Sequence, residues 1–301
     1  MNILITGASG VVGRAVTQVL EAQGHKVTPL ARTKRDGVAW WDIDAGQVEL
    51  GPCPSPDVVI HLAGENIASG RWTPAIKGRI RDSRVNGTRL LANHLAAMPQ
   101  KPRAFICASA IGYYGSRGDD PLEETAPPGS GFLADVCRGW EAAADPAREA
   151  GIRTVHARLG IVLSRTGGAL ARMLTPFRLG IGGCIGNGRQ YMSWVHIDDV
   201  ANALADLAAH DNLAGPVNLV APHPVTNHQF TKTLGHALHR PTVLPMPTFA
   251  VRLLLGEMGD ALLLSSIRVK PAVLSNAGFA FRFPSLHDAL NDLLQENGPQ
   301  P

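Results

Sequence analysis

The sequence contains few cysteines, no long apolar run and no large excess of either charge. Its 301 residues include four cysteines, none of them in a C-x-x-C pair. Because closely spaced thiols mark disulfide frameworks and zinc sites, we expect reduced thiols and no metal. The formal net charge of +3 argues against a nucleic-acid partner. The most apolar stretch, FAVRLLLG at residues 249–256, is too short to span a bilayer, so we expect no membrane partner.

The chain begins with MNILITG, which has no basic leader before its first apolar segment. A secretory signal peptide carries such a leader and a longer apolar core, so we expect a cytoplasmic protein. With 45% hydrophobic residues, the chain is long enough to bury one large core or two unequal ones. The partner we expect is a small-molecule substrate, and we also consider a homodimer.

Apolar segments alternate with segments of helical periodicity through the first half of the chain. This alternation predicts an α/β fold with a Rossmann-type, doubly wound parallel sheet, followed by a smaller and mainly helical C-terminal lobe for the substrate. We expect residues 1–165 to form the nucleotide-binding domain, with about 190–220 returning to it. The lobe would comprise residues 166–189 and 221–301. The predicted strands include 57–63, 103–110 and a single strand within 153–164, and the predicted helices include 74–98 and 134–150.

A glycine triplet follows the first predicted strand. Gly7, Gly10 and Gly13 stand between the apolar NILIT and a helical pattern. In this position one glycine makes a tight turn, one lets the backbone approach a pyrophosphate, and one allows close packing of helix on strand. The helix N-terminus adds N–H donors and a partial positive charge. The triplet therefore predicts a dinucleotide site at the start of the first helix.

Three cations follow the second predicted strand in the segment LARTKRD, namely Arg32, Lys34 and Arg35. An acidic residue at this place would bind the ribose hydroxyls of NAD(H), whereas a cationic clamp suits a 2′-phosphate. The alternative is a solvated charged loop. The cations favour NADP(H) as the cofactor.

Further motifs follow in order: HLAGENI, RW, SRVNGT, SAIGYYG, GGCIGNGRQYMSWVHIDD and NLVAPHPVTN. With the glycine triplet, they make the chain from Asn2 to about Leu294 resemble the atypical short-chain dehydrogenases/reductases of the epimerase family. These are relatives of the nucleotide-sugar epimerases with a short helical C-terminal domain. The resemblance implies an NADP(H)-binding oxidoreductase or epimerase-like enzyme.

The resemblance also implies roles for residues of this chain. A diphosphate would lie along residues 7–12, Arg32 would meet the 2′-phosphate, and Asp42 would lie by the adenine. For Asp42 a turn or cap role is the alternative. Leu62, Ala63 and Gly64 would follow the nicotinamide-side ribose, with Glu65 in the same loop. The predicted cofactor residues are Gly7, Ala8, Ser9, Gly10, Val11, Val12, Gly13, Arg32, Lys34, Arg35, Asp42, Leu62, Ala63, Gly64 and Glu65.

The catalytic pair of the wider superfamily is absent. That pair is Tyr-x-x-x-Lys on a helix, where the lysine lowers the pKa of the phenol. The corresponding segment here, FLADVCRGWEAAA, has Phe132 and Val136 at the two positions, and the usual serine corresponds to Ala110. The predicted catalytic residues are therefore Tyr113 and Tyr114 of YYGSRG, with Ser109 in place of the serine.

The missing pair leaves three alternatives open. In the first, the protein is an enzyme with a replacement acid, for which Glu65, Asp135 and His196 are further candidates. In the second, it is a non-catalytic NADPH-binding sensor or regulatory protein. In the third, the nucleotide serves as a scaffold for a non-redox reaction. For the substrate we expect contacts from Arg71, Trp72, Arg189, Trp194 and His196, and we expect Asp198 or Asp199 to cap the helix after SWVH.

Overall fold

The structure is a computed structural model that describes residues 1–295. Its strands are β1 (Asn2–Thr6), β2 (Lys26–Leu30), β3 (Trp40–Asp42), β4 (Gln47–Glu49), β5 (Val58–His61), β6 (Ala104–Ala110), β7 (Pro121–Leu122), β8 (Arg153–Leu159), β9 (Ile161–Leu163), β10 (Tyr191–Met192), β11 (Trp194–His196), β12 (Gly215–Leu219), β13 (Val225–Thr226) and β14 (Arg268–Val269). Its helices are α1 (Val11–Ala22), α2 (Pro74–Ala97), α3 (Phe132–Ala142), α4 (Asp145–Glu149), α5 (Gly168–Arg178), α6 (Ile197–Ala209), α7 (Asn227–Ala237), α8 (Thr248–Leu255), α9 (Glu257–Gly259), α10 (Ala272–Asn276) and α11 (Leu286–Leu294). A 3₁₀ turn covers Ile111–Tyr114 and a π-helical turn covers Asp260–Leu264.

Six strands form one parallel sheet in the order β12-β8-β6-β5-β1-β2. The chain order of these strands reverses between β1 and β5. In open α/β sheets such a reversal leaves a crevice at the carboxyl ends of the two strands, where ligands bind. The predicted doubly wound parallel sheet is confirmed.

Both faces of the sheet are covered by helices, which explains the near-continuous apolar character of its strands. Side chains alternate between the faces because a strand has a period of two residues. Ile3 and Ile5 pack in one buried cluster with α1 and α6, whereas Leu4 packs in another with α2 and α3.

A third buried cluster joins the C-terminal helices to the segment after β9. It contains Leu174 of α5, Trp194 of β11, Phe230 of α7 and Leu290 of α11. The helical lobe thus has its own apolar core beside that of the sheet. Within residues 1–295, no helix combines the length and the hydropathy needed to cross a membrane.

Two of the predicted elements are wrong in detail. The single strand within 153–164 is divided at Gly160 into β8 and β9, and β9 leaves the large sheet to pair with β11. A β-carbon on Gly160 would lie 2.7 Å from the carbonyl oxygen of Ser193, so a close backbone crossing occurs at this break. The helix within 134–150 is likewise two helices, α3 and α4.

Candidate functional site

The glycine turn between β1 and α1 forms a cradle that larger residues would fill. Gly7 has a φ of 71°, and a β-carbon on it would lie 2.9 Å from the carbonyl carbon of Leu62. A β-carbon on Gly13 would lie 2.1 Å from the carbonyl oxygen of Gly7. Helix α1 begins after Gly10, with no side-chain cap and no acidic residue in its first turn. Its first amides are therefore available to an anion.

A buried hydrogen-bond chain joins the ends of β1 and β5 beneath this cradle. The Thr6 hydroxyl accepts from the amides of Leu62 and Ala63, each at 3.1 Å, and lies 2.7 Å from His61 Nδ1. With its acceptor positions used, this hydroxyl donates to Nδ1, so His61 carries its proton on Nε2, which faces Thr88 Oγ1 at 3.0 Å. Burial lowers the pKa of His61 to about 3, consistent with this neutral form.

The cations after β2 are exposed. Arg32, Lys34 and Arg35 are all accessible to solvent, and Lys34 Nζ lies 5.1 Å from the centre of the Trp40 ring. Asp42 Oδ1 accepts the amides of Asp44 and Ala45, each at 2.9 Å. Asp42 thus has the turn role, while its contact with an adenine stays a prediction.

A cavity of about 260 Å³ opens at the carboxyl ends of the central strands. The predicted residues Val12, Leu62, Gly64 and Ser109 line it, and so does Ala110. The cavity therefore runs from the start of α1, at Val12, to Ser109 and Ala110, where the resemblance places the catalytic serine of the superfamily. Its other lining residues are Arg84, Ala108, Trp140, Leu159, Gly160 and Val162.

Arg84 is a cation in this lining, and one nitrogen of its guanidinium is bonded to the protein backbone. Its Nη1 donates to the carbonyls of Glu65 at 3.0 Å and Ile80 at 3.1 Å, and its guanidinium lies 5.0 Å from the centre of the Trp140 ring. Burial lowers the pKa of Arg84. Ser83 Oγ accepts a hydrogen bond from the Glu65 amide at 3.1 Å. Ser83 and Arg84, both on α2, therefore hold the loop after β5 against this helix.

Ser109 lies at the edge of a buried ionic network. Its hydroxyl donates to Glu141 Oε1 at 2.7 Å, and Arg158 holds Glu141 with two bonds of 2.8 and 2.9 Å. Although burial opposes the charged form, the bonds to Glu141 raise the pKa of Arg158. Because its hydrogen is directed to Glu141, the Ser109 hydroxyl has only acceptor positions left for a ligand.

The two tyrosines of the loop after β6 have different surroundings. Tyr114 is fully buried, and its hydroxyl donates to Asn218 Oδ1 at 2.7 Å and accepts from Arg158 at 2.9 Å. Burial raises the pKa of Tyr114. Tyr113 is only half-buried, with the Arg158 guanidinium 3.6 Å from the centre of its ring. Tyr114 is thus held in the interior, whereas Tyr113 retains access to solvent.

Helix α3 contains neither tyrosine nor lysine, so no register of this helix supplies the superfamily pair. Phe132 lies edge-on to Trp72 with 5.0 Å between ring centres, and Lys77 Nζ lies 4.6 Å from the Phe132 ring. Val136 is buried. Asp135 is exposed and pairs with Arg138 on the same helix.

The predicted substrate residues fall into separate places. Trp72 donates to the Ile67 carbonyl at 2.8 Å, and Arg71 lies against Gly256 of the lobe. Arg189 is exposed in the turn before β10. Trp194 is fully buried in the core of the lobe and donates to the His223 carbonyl at 3.2 Å. Of these residues, Arg71 lies where the lobe meets the loop after β5, and Trp72 is bonded within that loop and packs on Phe132.

His196 is buried and caps α6, so the expected cap at Asp198 or Asp199 is wrong. Its Nδ1 accepts the Asp198 amide at 3.1 Å, and its ring lies 3.9 Å from that of Phe283. Asp199 instead accepts the amides of Arg282 and Phe283, at 2.7 and 3.0 Å, and so fixes the segment before α11.

His196 Nε2 is 3.3 Å from Asp292, and these two residues with Asp198 bring potential ligand atoms within 4.8 Å of one another. His196 acts as the helix cap and Asp198 pairs with Arg282 at 3.2 Å, and we assign no metal to this cluster.

The fold and this cradle define a Rossmann-type α/β protein built to hold a dinucleotide. The profile of the NAD dependent epimerase/dehydratase family matches residues 3–220, and a domain of unknown function, DUF1731, matches residues 246–293. An epimerase family protein of Mycobacterium leprae is 40% identical over 96% of this chain and 94% of its own length. The chain belongs to this epimerase family.

Solved structures agree with this assignment. The crystal structure of human epimerase family protein SDR39U1 (isoform 2) with NADPH has a TM-score of 0.89 and 36% identity, and the match covers 97% of this chain and 99% of the human one. A UDP-glucose 4-epimerase of Thermotoga maritima, with UDP-glucose, has a TM-score of 0.74 at 21% identity over 97% of this chain and 96% of that one. At that identity the second likeness concerns the fold alone.

Proposed function

We propose that the protein binds NADP(H), with the diphosphate at the start of α1 and the 2′-phosphate beside Arg32. The observation that carries the proposal is the cradle of Gly7, Gly10 and Gly13, in which a side chain at the third position would meet backbone at 2.1 Å. The cations after β2 supply the charge that a 2′-phosphate needs. The human relative's structure with NADPH supports the same choice.

Arg32→Ala tests the choice between the two nicotinamide cofactors. We expect NADPH to bind about 10- to 100-fold more weakly to this variant, because a hydrogen bond to a charged group is lost, while NADH binding stays unchanged. Lys26→Ala is the matched control, since Lys26 is an exposed cation at the opposite end of β2. Equal losses for both cofactors would show that Arg32 has a structural role instead.

We further propose that the bound cofactor serves an oxidoreductase or epimerase-like reaction on a small substrate, with Tyr113 as the proton donor or acceptor. A bound nicotinamide would supply hydride transfer at the end of the cavity lined by Ser109 and Ala110. Doubly wound folds place their reacting groups on loops at the carboxyl ends of strands, and Tyr113 lies on such a loop. Unlike Tyr114, its hydroxyl makes no hydrogen bond within residues 1–295.

A second candidate is a non-catalytic NADPH-binding sensor. The observation in its favour is that two polar groups of the cavity already have protein partners: the Ser109 hydroxyl donates to Glu141, and Arg84 Nη1 donates to two backbone carbonyls. A site in which hydride transfer must be matched by proton transfer needs a free acid or base within reach.

Absorbance of the reduced nicotinamide distinguishes the two functions. The NADPH-bound protein would be incubated with a fractionated metabolite extract, in wild type, Tyr113→Phe and Tyr114→Phe forms. The redox proposal predicts consumption of NADPH that is lost in Tyr113→Phe and retained in a folded Tyr114→Phe protein. Consumption that persists in Tyr113→Phe would remove Tyr113 from the reaction, and no consumption with any fraction would favour the sensor.

A further inference from the structure

A half-buried arginine in the lining of the cavity keeps part of its guanidinium free. Arg84 Nη1 is bonded to two backbone carbonyls, but Nε and Nη2 make no hydrogen bond within residues 1–295. Both of these nitrogens remain accessible, and Arg84 lines the cavity at the carboxyl ends of the central strands. The edge of the guanidinium that carries Nε and Nη2 is therefore available to a ligand.

Arg158 shows what the same two nitrogens bind elsewhere in this molecule. Its Nε and Nη2 donate to the two carboxylate oxygens of Glu141, at 2.8 and 2.9 Å. A guanidinium binds a carboxylate or a phosphate in this bidentate way, with two parallel N–H···O bonds. Arg84 presents the same pair of donors without a carboxylate, because it forms no ion pair in the part of the chain that the structure describes.

The charge of Arg84 is only weakly compensated by the protein. Burial lowers the pKa of Arg84, and the opposing effects of Cys137 and Glu65 do not restore it. The carboxylate of Glu65 lies 3.9 Å from Arg79 Nε. Withdrawing a cation from water without a close partner costs free energy. An anion that enters the cavity would recover part of this cost.

The guanidinium is held between two elements of the site. It lies 5.0 Å from the centre of the Trp140 ring on α3, and a β-carbon on Gly64, in the loop after β5, would lie 3.2 Å from its Cζ. The bonds from Nη1 fix its orientation further. A planar donor that is already fixed loses little side-chain freedom when a ligand binds, and this favours affinity.

The surroundings of Arg84 favour a small anion. The cavity has a volume of about 260 Å³, below the roughly 300–1,000 Å³ of pockets that enclose drug-sized ligands. Ser109, in the same lining, can accept from a ligand hydroxyl but has no hydrogen left for an anion. Arg71 and Arg172 contact the two ends of the region from the loop after β5 to the lobe, and within residues 1–295 neither forms an ion pair. Such cations attract anions to a cleft.

We propose that Nε and Nη2 of Arg84 bind the oxyanion, a carboxylate or a phosphate, of a small anionic substrate. The inference rests on the redox function proposed above, since it places the substrate in the cavity that would receive the nicotinamide. The other source of an oxyanion near this cavity is the cofactor's own diphosphate, which NADPH and NADH both carry. The binding experiment separates the two sources.

The Nε–H resonances of protein labelled with ¹⁵N-arginine test the site directly. Malonate and inorganic phosphate are the probes, and malonamide is the uncharged counterpart of malonate. We expect malonate or phosphate, but not malonamide, to shift one resonance saturably, with and without NADPH. The same resonance should be missing in Arg84→Lys.

Calorimetric titration of variants measures the contribution of Arg84. Arg84→Gln should bind the anionic probe about 10- to 100-fold more weakly, because hydrogen bonds to a charged group are lost, and should keep its affinity for NADPH and NADH. Arg81→Gln is the matched control, since Arg81 is an exposed arginine of the same helix that pairs with Asp82. It should bind the probe as the wild type does.

The metabolite assay described above provides a second test. The component that consumes NADPH should be retained by an anion-exchange resin, and Arg84→Lys should raise its KM more than it lowers kcat. An active component that passes through the resin would contradict the proposal.

The contrary results have distinct meanings. Absence of a saturable shift, equal binding of malonamide, or probe binding unchanged in Arg84→Gln would overturn the proposal and leave the cofactor site unaffected. Weaker binding of both NADPH and NADH by Arg84→Gln, with probe binding retained, would assign the guanidinium to the cofactor diphosphate and also overturn it. If the wild type binds neither nucleotide but still binds malonate through Arg84, the cofactor proposal fails and the anion site stands.

Discussion

The nucleotide end of the crevice and the opposite end, at Ser109 and α3, differ in which residues of the superfamily's site they retain. At the nucleotide end, the glycine turn, the start of α1 without a side-chain cap, and the exposed cations after β2 are all present for the binding that we propose. At the opposite end, α3 has no tyrosine or lysine, and Ser109 is bonded to Glu141. Under the proposed function, nucleotide binding and proton transfer would therefore use separable parts of this fold. The first part depends on backbone geometry, whereas the second depends on a few side chains that can be exchanged without loss of the sheet.

The largest effect is expected at the nucleotide end, from Gly13→Ala. A β-carbon there would lie 2.1 Å from the Gly7 carbonyl oxygen, so the turn must open and the amides of α1 must move. We expect NADPH affinity to fall by two orders of magnitude or more, about 3 kcal/mol, in a calorimetric titration.

Gly78→Ala is the matched control for this substitution. Gly78 lies within α2, and the nearest atom to its added β-carbon would be an Asp82 oxygen at 3.9 Å. Alanine in place of a helical glycine should raise the free energy of unfolding by about 0.5–1 kcal/mol and leave NADPH affinity unchanged. Normal NADPH binding by Gly13→Ala would contradict the assignment of the cradle.

A smaller effect is expected from the tyrosines at the other end. Tyr114→Phe removes a buried hydroxyl that bonds both Asn218 and Arg158, and we expect the free energy of unfolding to fall by about 1–3 kcal/mol. Tyr113→Phe should change it by less than about 0.5 kcal/mol, because its hydroxyl is not part of that network. Urea unfolding measures both values. A larger loss from Tyr113→Phe than from Tyr114→Phe would reverse the roles assigned to the two residues.

The smallest effect concerns the chain of hydrogen bonds that joins β1 to β5. The pKa of His61 is about 3 in the folded protein and about 6.5 when unfolded, so below pH 6.5 the unfolded state binds the proton first and stability falls. From pH 6.5 to 5.5 this residue alone should lower the free energy of unfolding by roughly 1 kcal/mol. His61→Asn should be less stable overall but should lose less stability over this interval. Equal slopes in the two proteins would contradict the buried neutral histidine.

Much of the sheet and the nucleotide end could be predicted from local patterns. The segment from β1 through Gly13 into α1 is continuous in sequence, and the cations directly follow β2. The break at Gly160 could not be predicted, because it depends on contact with Ser193 and Val220. The cap at His196 was missed because Asp198 and Asp199 are the commoner capping residues.

The interior of the other end depends on distant partners. Arg158 meets Glu141, and Tyr114 meets Asn218 across 104 residues of sequence. Such pairs leave no local signature, so Tyr113 and Tyr114 are equivalent in the sequence and become distinct only in the folded chain. The same holds for FAVRLLLG at residues 249–256, which resembles core sequence although Phe249, Leu253 and Leu254 are exposed in the folded chain.

Calorimetric titration of the wild-type protein with NADPH and with NADH, at one salt concentration, tests the account most directly. We expect NADPH to bind at least about tenfold more tightly than NADH, because the cations after β2 bind a 2′-phosphate that NADH lacks. Equal affinities for the two nucleotides, or binding of neither, would contradict the claim that this end of the crevice is a complete NADP(H) site.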